Sequence, residues 1–152
     1  MYDSILVPTD GSEGSEVAIE RAIDAAETYD AALHTLYVVE TPGGAEGVEV
    51  GSVLQRLREH GDRAIRTVIS MADDADIGTV EGSVAEGVPH TAILQYTDQH
   101  DIDLIVMGTH GRTGLGRYML GSVTEKVVRL SDVPVLTVPL RQEEEGEEEN
   151  SE

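Results

Sequence analysis

The sequence contains no cysteine, tryptophan or phenylalanine among its 152 residues. The absence of cysteine excludes disulfide bridges, thiolate catalysis, cysteine-ligated zinc sites and iron–sulfur clusters. Because five tyrosines supply all of its Phe, Tyr and Trp content, the hydrophobic core must be built from valine, isoleucine, leucine, alanine and methionine. Such a core is typical of a small β-sheet covered by helices.

Long hydrophobic stretches are also absent. No apolar run approaches 18 residues, and Met1–Pro8 has neither the basic segment nor the apolar segment of a secretion signal. We therefore expect a soluble cytoplasmic protein that does not bind a membrane. The chain is long enough to form one domain with a buried core.

Positive charge is scarce, because 10 basic residues stand against 30 acidic ones and the formal net charge is −20. Part of this excess lies at the C-terminus, where residues 142–152 contain seven glutamates and no apolar side chain. The composition predicts an acidic disordered tail over residues 141–152, after a folded domain over residues 1–140.

The folded part is acidic in its own right, since residues 1–141 hold 23 acidic and 10 basic residues, of which only one is lysine. An acidic, lysine-poor surface resembles that of proteins from halophilic organisms, where molar salt shortens the screening length to about 3 Å. The alternative is an acidic protein from a low-salt cell. Either origin disfavours binding to nucleic acid, whose phosphates such a surface repels.

One stretch departs from this charge pattern. Between Leu104 and Leu130 there are four basic residues and a single acidic one, in a window that contains the glycine-rich segment Gly108–Ser122. Glycines let main-chain N–H groups approach a ligand closely, and turns of this kind bind anions. The exclusion of acidic residues therefore predicts an anionic ligand here, and we expect a phosphate chain.

Short apolar runs alternate with helical patterns along the chain. Five runs predict strands, and the segments between them place apolar residues at helical spacing. The predicted strands are Ser4–Thr9, Ala32–Val39, Ile77–Glu81, Asp103–Met107 and Val133–Val138, and the predicted helices are Glu16–Tyr29, Val53–Met71, Pro89–His100 and one that begins at Ser122.

This alternation predicts an α/β fold with a single doubly wound sheet of five parallel strands and helices on both faces. Ligands of such sheets bind beyond the carboxyl ends of the strands, where the strand order reverses. If the first and fourth strands are neighbours at that point, Asp10 and Gly108 face one crevice. Pro134 favours an edge position for the fifth strand.

Several local patterns predict loops, caps and side-chain positions. Glycine-rich composition predicts a loop over Thr41–Ser52. The segment Ser122-Val-Thr-Glu125 predicts a capping box at the start of the last helix, and Ser12 or Ser15 is expected to cap the first helix. The histidines other than His110 show no metal-ligand spacing and are expected at or near the surface, namely His34, His60, His90 and His100.

The spacing Gly108-x2-Gly111-x9-Gly121-Ser122 resembles, at every fixed position, the motif of the nucleotide-binding branch of the universal stress protein family. Ile5–Ser12 and Val133–Val138 resemble that family's opening and closing strands, so the likeness covers residues 1–139. The resemblance implies a Rossmann-like or flavodoxin-like domain of strand order 3-2-1-4-5. It also implies ATP binding and a homodimer that forms through the last strand, Val133–Val138.

Carried over position by position, the resemblance implies an adenine-nucleotide site with three parts. The adenosine side comprises Pro8, Thr9 and Asp10, with Val38 contacting adenine through its main chain. The ribose and phosphate path is lined by Met107, Gly108, His110, Gly111 and Arg112, and the terminal phosphates lie against Gly121, Ser122, Val123 and Thr124. Asp10 either forms an Asx turn or a helix cap, or lies beside the phosphates, where it would hydrogen-bond a hydroxyl or help to hold Mg²⁺ through water.

Other phosphate-binding motifs fit less well. No lysine stands where the Walker pattern requires one, and the turn after the first strand lacks Gly-x-Gly-x-x-Gly. The leading hypothesis is an ATP-binding stress-response module with little or no catalysis, because the parts of a fast phosphoryl-transfer site are not recognisable. Two alternatives stay open. The first is an enzyme, either a slow ATPase or autophosphorylating protein, or a nucleotide hydrolase or adenylylating enzyme with Asp10 or His110 in the chemistry. The second is a nucleotide-independent dimeric interaction protein.

Overall fold

The computed structural model describes residues 1–40, 48–109 and 120–139, without the side chains of residues 48–50. In this part of the chain strands and helices alternate. They are β1 (Ser4–Pro8), α1 (Glu13–Tyr29), β2 (Ala32–Val39), α2 (Val48–Asp73), β3 (Val80–Glu86), α3 (Pro89–Gln99), β4 (Leu104–Gly108), α4 (Ser122–Leu130) and β5 (Val135–Val138).

The strands form one parallel sheet in the order β3-β2-β1-β4-β5. β1 pairs with β2 from Ser4 opposite Ala32 to Pro8 opposite Leu36, and β4 lies on its other side. The predicted fold class and strand order are therefore confirmed. β5 lies at an edge of the sheet, as Pro134 favoured.

β1 occupies the centre of the core because both of its faces are covered. Ile5 and Val7 belong to a buried cluster with residues of α1, and Leu6 belongs to a second cluster with residues of α3 and α4. All three side chains are fully buried. Burial of one such side chain contributes about 1.5–3 kcal/mol, so the apolar run fixes β1 between the two helical layers.

The strand order reverses at β1. The chain places β2 and β3 on one side of β1, and β4 and β5 on the other. The loops after β1 and β4 therefore leave the same edge of the sheet and diverge, which opens a crevice between them. This is the position predicted for Asp10 and Gly108.

Two predicted elements have different limits in the structure. β3 spans Val80–Glu86 rather than Ile77–Glu81, and as an edge strand it has no fully buried residue. Ile65 of α2 fills the space that a side chain at position 82 would occupy, and this position is therefore a glycine. Because of this glycine, the sequence of β3 shows neither an apolar run nor a clear alternation. α2 begins at Val48, inside the predicted loop Thr41–Ser52, whose first seven residues lie outside the described residues.

Two further expectations concern the termini and membranes. The predicted tail, residues 141–152, lies outside the described residues. Within residues 1–40, 48–109 and 120–139, none of the helices combines the length and the apolar character that a membrane crossing requires.

The outer face of α1 concentrates negative charge. Exposed carboxylates recur at three- and four-residue intervals and so lie along one side of the helix, at Glu13, Glu16, Glu20, Asp24 and Glu27. Like charges at this spacing destabilise a helix by about 0.2–0.5 kcal/mol per pair. The helix dipole favours Glu13 at the N-terminal end and opposes Glu27 at the C-terminal end, where the last turn holds no basic residue.

Neutralising the two ends of this face should have different effects in dilute buffer. Glu27→Gln should raise the melting temperature by about 1–4 °C, because a charge that opposes the helix dipole costs about 0.3–1 kcal/mol. Glu13→Gln is the matched control and should give no such rise, because the lost dipole interaction offsets the relief of repulsion. In about 1 M KCl the two variants should converge and the wild-type melting temperature should increase. Thermal denaturation followed by circular dichroism measures these changes, and a wild-type melting temperature that fell with salt would contradict the role of charge repulsion.

Candidate functional site

A cavity of about 400 Å³ opens at the carboxyl edge of the sheet, between the ends of β1, β2 and β4 and the first turns of α3 and α4. Its volume falls within the range of small-molecule sites, about 300–1,000 Å³. Its walls are formed by Pro8, Thr9, Asp10, Ser15, Tyr37, Val38, Val39, Glu40, Leu57, Pro89, Ile93, Met107, Gly108, Gly121, Ser122, Val123 and Thr124.

Most of the predicted site residues meet in this cavity. Those that line it are Pro8, Thr9, Asp10, Val38, Met107, Gly108, Gly121, Ser122, Val123 and Thr124. The remaining three, His110, Gly111 and Arg112, lie outside the described residues.

α4 directs its N-terminal end towards the cavity. Gly121 is the N-cap residue, with φ −60° and ψ 154°, and the first helical bond runs from Glu125 N to Gly121 O at 2.9 Å. Helical geometry therefore leaves the N–H groups of Ser122, Val123 and Thr124 without a partner inside the helix. Together with the positive end of the helix dipole, these groups favour an anion.

The predicted capping box is wrong by one residue. Ser122 is the first helical residue of α4 rather than its N-cap. Within the described residues, no side chain makes a hydrogen bond that caps the start of this helix. Glu125 instead forms an i,i+4 ion pair with Arg129, with Oε1 3.8 Å from Nη2. Because glycine occupies the cap position, the cap itself places no side chain between the N–H groups of α4 and the cavity.

Hydrogen bonds join β4 to the start of α4 across the glycine-rich segment. Gly121 N donates to Thr109 O at 2.7 Å, and the Thr124 hydroxyl donates to Gly108 O at 2.8 Å. Thr109 N donates to Val138 O of β5 at 3.0 Å. Since the hydroxyl of Thr124 already binds Gly108, we expect this residue to offer a ligand its N–H rather than its hydroxyl.

The turn after β1 is held by its own side chains. Asp10 Oδ1 accepts hydrogen bonds from the N–H of Ser12, at 2.9 Å, and from the Ser12 hydroxyl. This is an Asx turn, one of the roles that the sequence allowed for Asp10. Thr9 Oγ1 accepts a bond from the N–H of Gly11, whose φ of +79° lies in the left-handed region that glycine adopts readily.

The caps of α1 follow from this turn. Ser12 is the N-cap residue, but its hydroxyl binds Asp10 and makes no cap bond to the helix. The Ser15 hydroxyl donates to Ser12 O at 2.7 Å. The expected side-chain cap is therefore wrong for Ser12, whose hydroxyl fixes the carboxylate of Asp10 instead.

β2 extends beyond β1 and leaves main-chain groups facing the cavity. Its pairing with β1 ends at Pro8 opposite Leu36, with Thr9 N donating to Leu36 O at 2.9 Å, whereas its pairing with β3 continues to Val39. Main-chain groups along a strand alternate in direction. The N–H and C=O of Val38 therefore point the same way as those of Leu36, into the space past the end of β1.

Sequence reasoning missed part of the cavity wall, namely Ser15, Tyr37, Val39, Glu40, Leu57, Pro89 and Ile93. Tyr37, Val39 and Glu40 flank Val38 at the end of β2, and that adjacency could have found them. Pro89 begins α3 directly after β3 and so also lies at the carboxyl edge. Leu57 had no comparable signal, because its position depends on how α2 crosses the sheet.

These features define a class of protein, a doubly wound α/β domain with a cavity where the strand order reverses and a helix N-terminus in the cavity wall. The family model of the universal stress protein family matches residues 1–139, and the chain belongs to this family. It is 38% identical over 141 residues to universal stress protein MJ0531 of Methanocaldococcus jannaschii. The alignment covers 91% of this chain and 82% of that relative. The family predicted from the glycine motif is confirmed.

Solved structures of related proteins share the fold. The universal stress protein UspA from Lactobacillus plantarum superposes with a TM-score of 0.82 at 29% identity, covering 90% of this chain and 97% of that one. A universal stress protein in complex with cAMP superposes with a TM-score of 0.71 at 26% identity, covering 90% and 97% of the two chains. That relative therefore carries an adenine nucleotide on the same fold.

Proposed function

We propose that the chain binds an adenine nucleotide, ATP, in the cavity and acts as a nucleotide-dependent stress-response module with little or no catalysis. The observation that carries the proposal is the meeting, in one cavity, of the outward-facing main chain of Val38 with the N-terminal N–H groups of α4. The first suits the edge of a base, and the second suits a phosphate. The related protein in complex with cAMP supports this class of ligand.

The apolar side of the cavity suits a nucleobase. Val38 offers a main-chain donor and acceptor past the end of β1, and a base edge presents donors and acceptors to such a pair. Tyr37, Leu57 and Ile93 supply apolar surface around it. Burial of apolar surface contributes about 25 cal/mol per Å², so a planar base gains affinity as well as orientation from this wall.

The opposite side of the cavity suits phosphates. Gly108 and Gly121 bring main chain to the wall without side chains, and the N–H groups of Ser122, Val123 and Thr124 follow at the end of the helix. Hydrogen bonds from such groups to a charged acceptor contribute about 1.5–3 kcal/mol each. His110, Gly111 and Arg112, which the resemblance places on the phosphate path, belong to this proposal.

The ionisable groups of the described cavity wall suit binding better than fast phosphoryl transfer. They are Asp10, Tyr37 and Glu40, whereas rapid transfer uses a cation on the phosphates, paired metal ligands and a base. Asp10 Oδ1 is engaged by Ser12. Asp10 would thus contribute to Mg²⁺ binding through water, with the nucleotide phosphates as the principal ligands.

We further propose that two chains pair through β5 in the cytoplasm. β5 lies at the edge of the sheet, where its main-chain groups can pair with a further strand. Apolar side chains beside this edge are exposed and could be buried by a second chain, namely Leu136 of β5 and Val128 and Leu130 of α4. The net charge of −20 opposes binding to nucleic acid and to anionic membranes. Sedimentation equilibrium tests the dimer, and the mass of a single chain would contradict it.

A thermal-shift panel with ATP, ADP, AMP and cAMP tests nucleotide binding. At about 100 times its Kd, a ligand stabilises the folded state by about 2.7 kcal/mol, which should raise the melting temperature by about 5–11 °C. GTP is the control for the base and tripolyphosphate the control for the phosphates. Each ligand is measured in dilute buffer and in about 1 M KCl, because salt screens repulsion between the acidic surface and a polyphosphate.

The thermal-shift panel, together with an assay of ATP turnover, separates the competing functions. Absence of a shift with every nucleotide, in both salts, would contradict the proposal and favour a nucleotide-independent interaction protein. Steady ATP turnover above about 1 s⁻¹ that Asp10→Ala abolishes would favour an enzyme. A shift with ATP but none with GTP or tripolyphosphate would support a site that reads the base and holds the phosphates together.

A further inference from the structure

A histidine in the middle of β2 is buried, although the sequence predicted it near the surface. His34 is 6% exposed and faces the layer formed by α3. Its neighbours in the sheet are Leu6 of β1 and Glu81 of β3. The expectation of a surface position was wrong because strand position alone does not reveal a polar partner on a distant helix.

The partner is Tyr96 of α3. His34 Nδ1 lies 2.7 Å from the Tyr96 hydroxyl oxygen, and the ring of His100 stacks on Tyr96 with centroids 3.8 Å apart. His100 Nδ1 lies 3.1 Å from Tyr96 O, and because a carbonyl only accepts, this nitrogen carries a proton. His34, Tyr96 and His100, the His34 cluster, thus fasten the C-terminal half of α3 to β2.

The titratable groups around His34 come from β3 and from the C-terminal end of α3, whereas its neighbour on β1 is the apolar Leu6. Glu81 Oε2 of β3 lies 3.5 Å from Nδ1, and His100 of α3 lies with its ring centroid 5.8 Å from that of His34. Burial lowers the pKa of His34, Glu81 raises it, and His100 lowers it further. Burial also raises the pKa of Tyr96, so its hydroxyl keeps its proton and can donate to the neutral imidazole.

Protonation would disfavour this arrangement. With its own proton on Nε2, the neutral ring accepts the Tyr96 hydroxyl at Nδ1. The cationic ring donates from both nitrogens, so the hydroxyl would have to turn its proton away and accept instead, beside a positive charge on a ring that is only 6% exposed. Because the pKa is lowered in the folded state, docking of α3 is favoured above the ordinary histidine value of 6.5. That stability is lost as the pH falls from 6.5 through the lower pKa of the folded state.

α3 connects the His34 cluster to the cavity. Its first turn, with Pro89, and the next turn, with Ile93, line the cavity, whereas Tyr96 lies one turn further along the same helix. Ile93 and Tyr96 belong to one buried cluster with Met107, which also lines the cavity. The Thr97 hydroxyl donates to Ile93 O at 2.8 Å, which joins the turn that lines the cavity to the turn that carries Tyr96.

We propose that the His34 cluster is a proton-sensitive contact that docks α3 on the sheet, so that protonation of His34 loosens α3 and with it the cavity wall at Ile93. The contact makes the shape of the cavity respond to acidification. The contact does not require a bound nucleotide. The inference therefore goes beyond the proposed nucleotide function and can be tested on the ligand-free protein.

Hydrogen exchange of the ligand-free protein at pH 7.5 and 5.0 tests the contact. After correction for intrinsic exchange rates, the amides of Ile93, Tyr96 and Thr97 should lose protection by about tenfold at the lower pH, while those of β4 keep theirs. In His34→Asn, whose Oδ1 can accept from Tyr96 but cannot ionise, the change should be less than about twofold. His90→Asn, in the first turn of α3, is the matched control and should keep the wild-type response.

Three results would overturn the contact. The first is an equal loss of protection in wild type and His34→Asn, and the second is a loss spread equally over α3 and β4. The third result comes from the wild-type protein alone, so it does not depend on whether a variant folds. NMR titration of the His34 ring should give a midpoint below pH 6.5, and a midpoint at or above that pH would refute the proposal.

Discussion

Replacing Ser122 with proline should weaken nucleotide binding by about 10- to 100-fold while the fold of the free protein is retained. Proline lacks the N–H group that Ser122 presents at the start of α4, and one hydrogen bond to a charged acceptor contributes about 1.5–3 kcal/mol. The helix should tolerate the change, because the first helical position needs no intrahelical N–H and suits the fixed φ of proline. Gly121, with ψ 154°, already has the extended conformation that precedes proline.

Ser122→Ala is the matched control for this substitution, since it removes the hydroxyl and keeps the N–H. Isothermal titration calorimetry with ATP measures the affinities, and thermal denaturation without ligand checks the fold. Equal affinities for Ser122→Pro and the wild type would contradict a phosphate at the end of α4. A loss in Ser122→Ala as large as that in Ser122→Pro would transfer the contact from the main chain to the hydroxyl.

Replacing Gly61 with alanine should destabilise the protein by about 1–3 kcal/mol, although alanine is the better helix former. Gly61 is buried in α2 where the helix crosses Tyr37 of β2, and a Cβ there would lie 2.6 Å from Tyr37 Cδ1. The Tyr37 ring is only 2% exposed and cannot swing aside. α2 would have to move away from the sheet, which should lower the melting temperature by about 2–12 °C.

Gly51→Ala, in the same helix, provides the contrast. Among the described residues, and apart from its chain neighbours and the backbone of its own helix, no atom lies within 4 Å of the position of its Cβ. This variant should therefore gain about 0.5–1 kcal/mol from helix propensity alone. Urea denaturation of both variants measures the two free energies of unfolding. A Gly61→Ala variant as stable as Gly51→Ala would show that α2 does not approach Tyr37 closely.

The sheet could be predicted because its central strands carry strong local signals. β1 and β4 are buried on both faces, so they appear as continuous apolar runs, and each leads directly into turn residues. β3 was misplaced because an edge strand needs few apolar side chains and because Gly82 leaves room for Ile65. The helix start at Val48 was missed for a related reason, since glycine-rich composition near Gly51 is typical of a loop.

The candidate site could be predicted where the glycine spacing fixes positions along the chain. The motif pointed to Gly108 and Gly121, which lie on the same cavity as Asp10 and Val38. The role of Ser122 differed from prediction because cap and first helical residue are one position apart, a distinction that depends on backbone angles. Leu57 and Ile93 were not predictable, since they reach the cavity through helix packing.

His34 illustrates a further limit of sequence reasoning. Its role depends on Tyr96, a hydrogen-bond partner 62 residues away, and on the stacking of His100 in the same helix. No spacing rule connects a strand residue with a helix residue at that separation. A polar residue inside an apolar strand signals only that some partner must exist, because an unpartnered buried polar group is costly.

The bonds at Thr109 and Gly121 also bear on how members of such a family can diverge. The chain leaves β4 at Thr109 and returns at Gly121, where the two residues are hydrogen-bonded to each other. This bond holds the two ends of the intervening segment together, and doubling the length of a loop costs only about 0.6 kcal/mol in closure entropy. Insertions, deletions or exchanges confined to residues 110–120 would leave the ladder of strands untouched. Under the proposed function, new ligand preferences would therefore arise by exchange of this one segment, while the rest of the domain keeps its sequence.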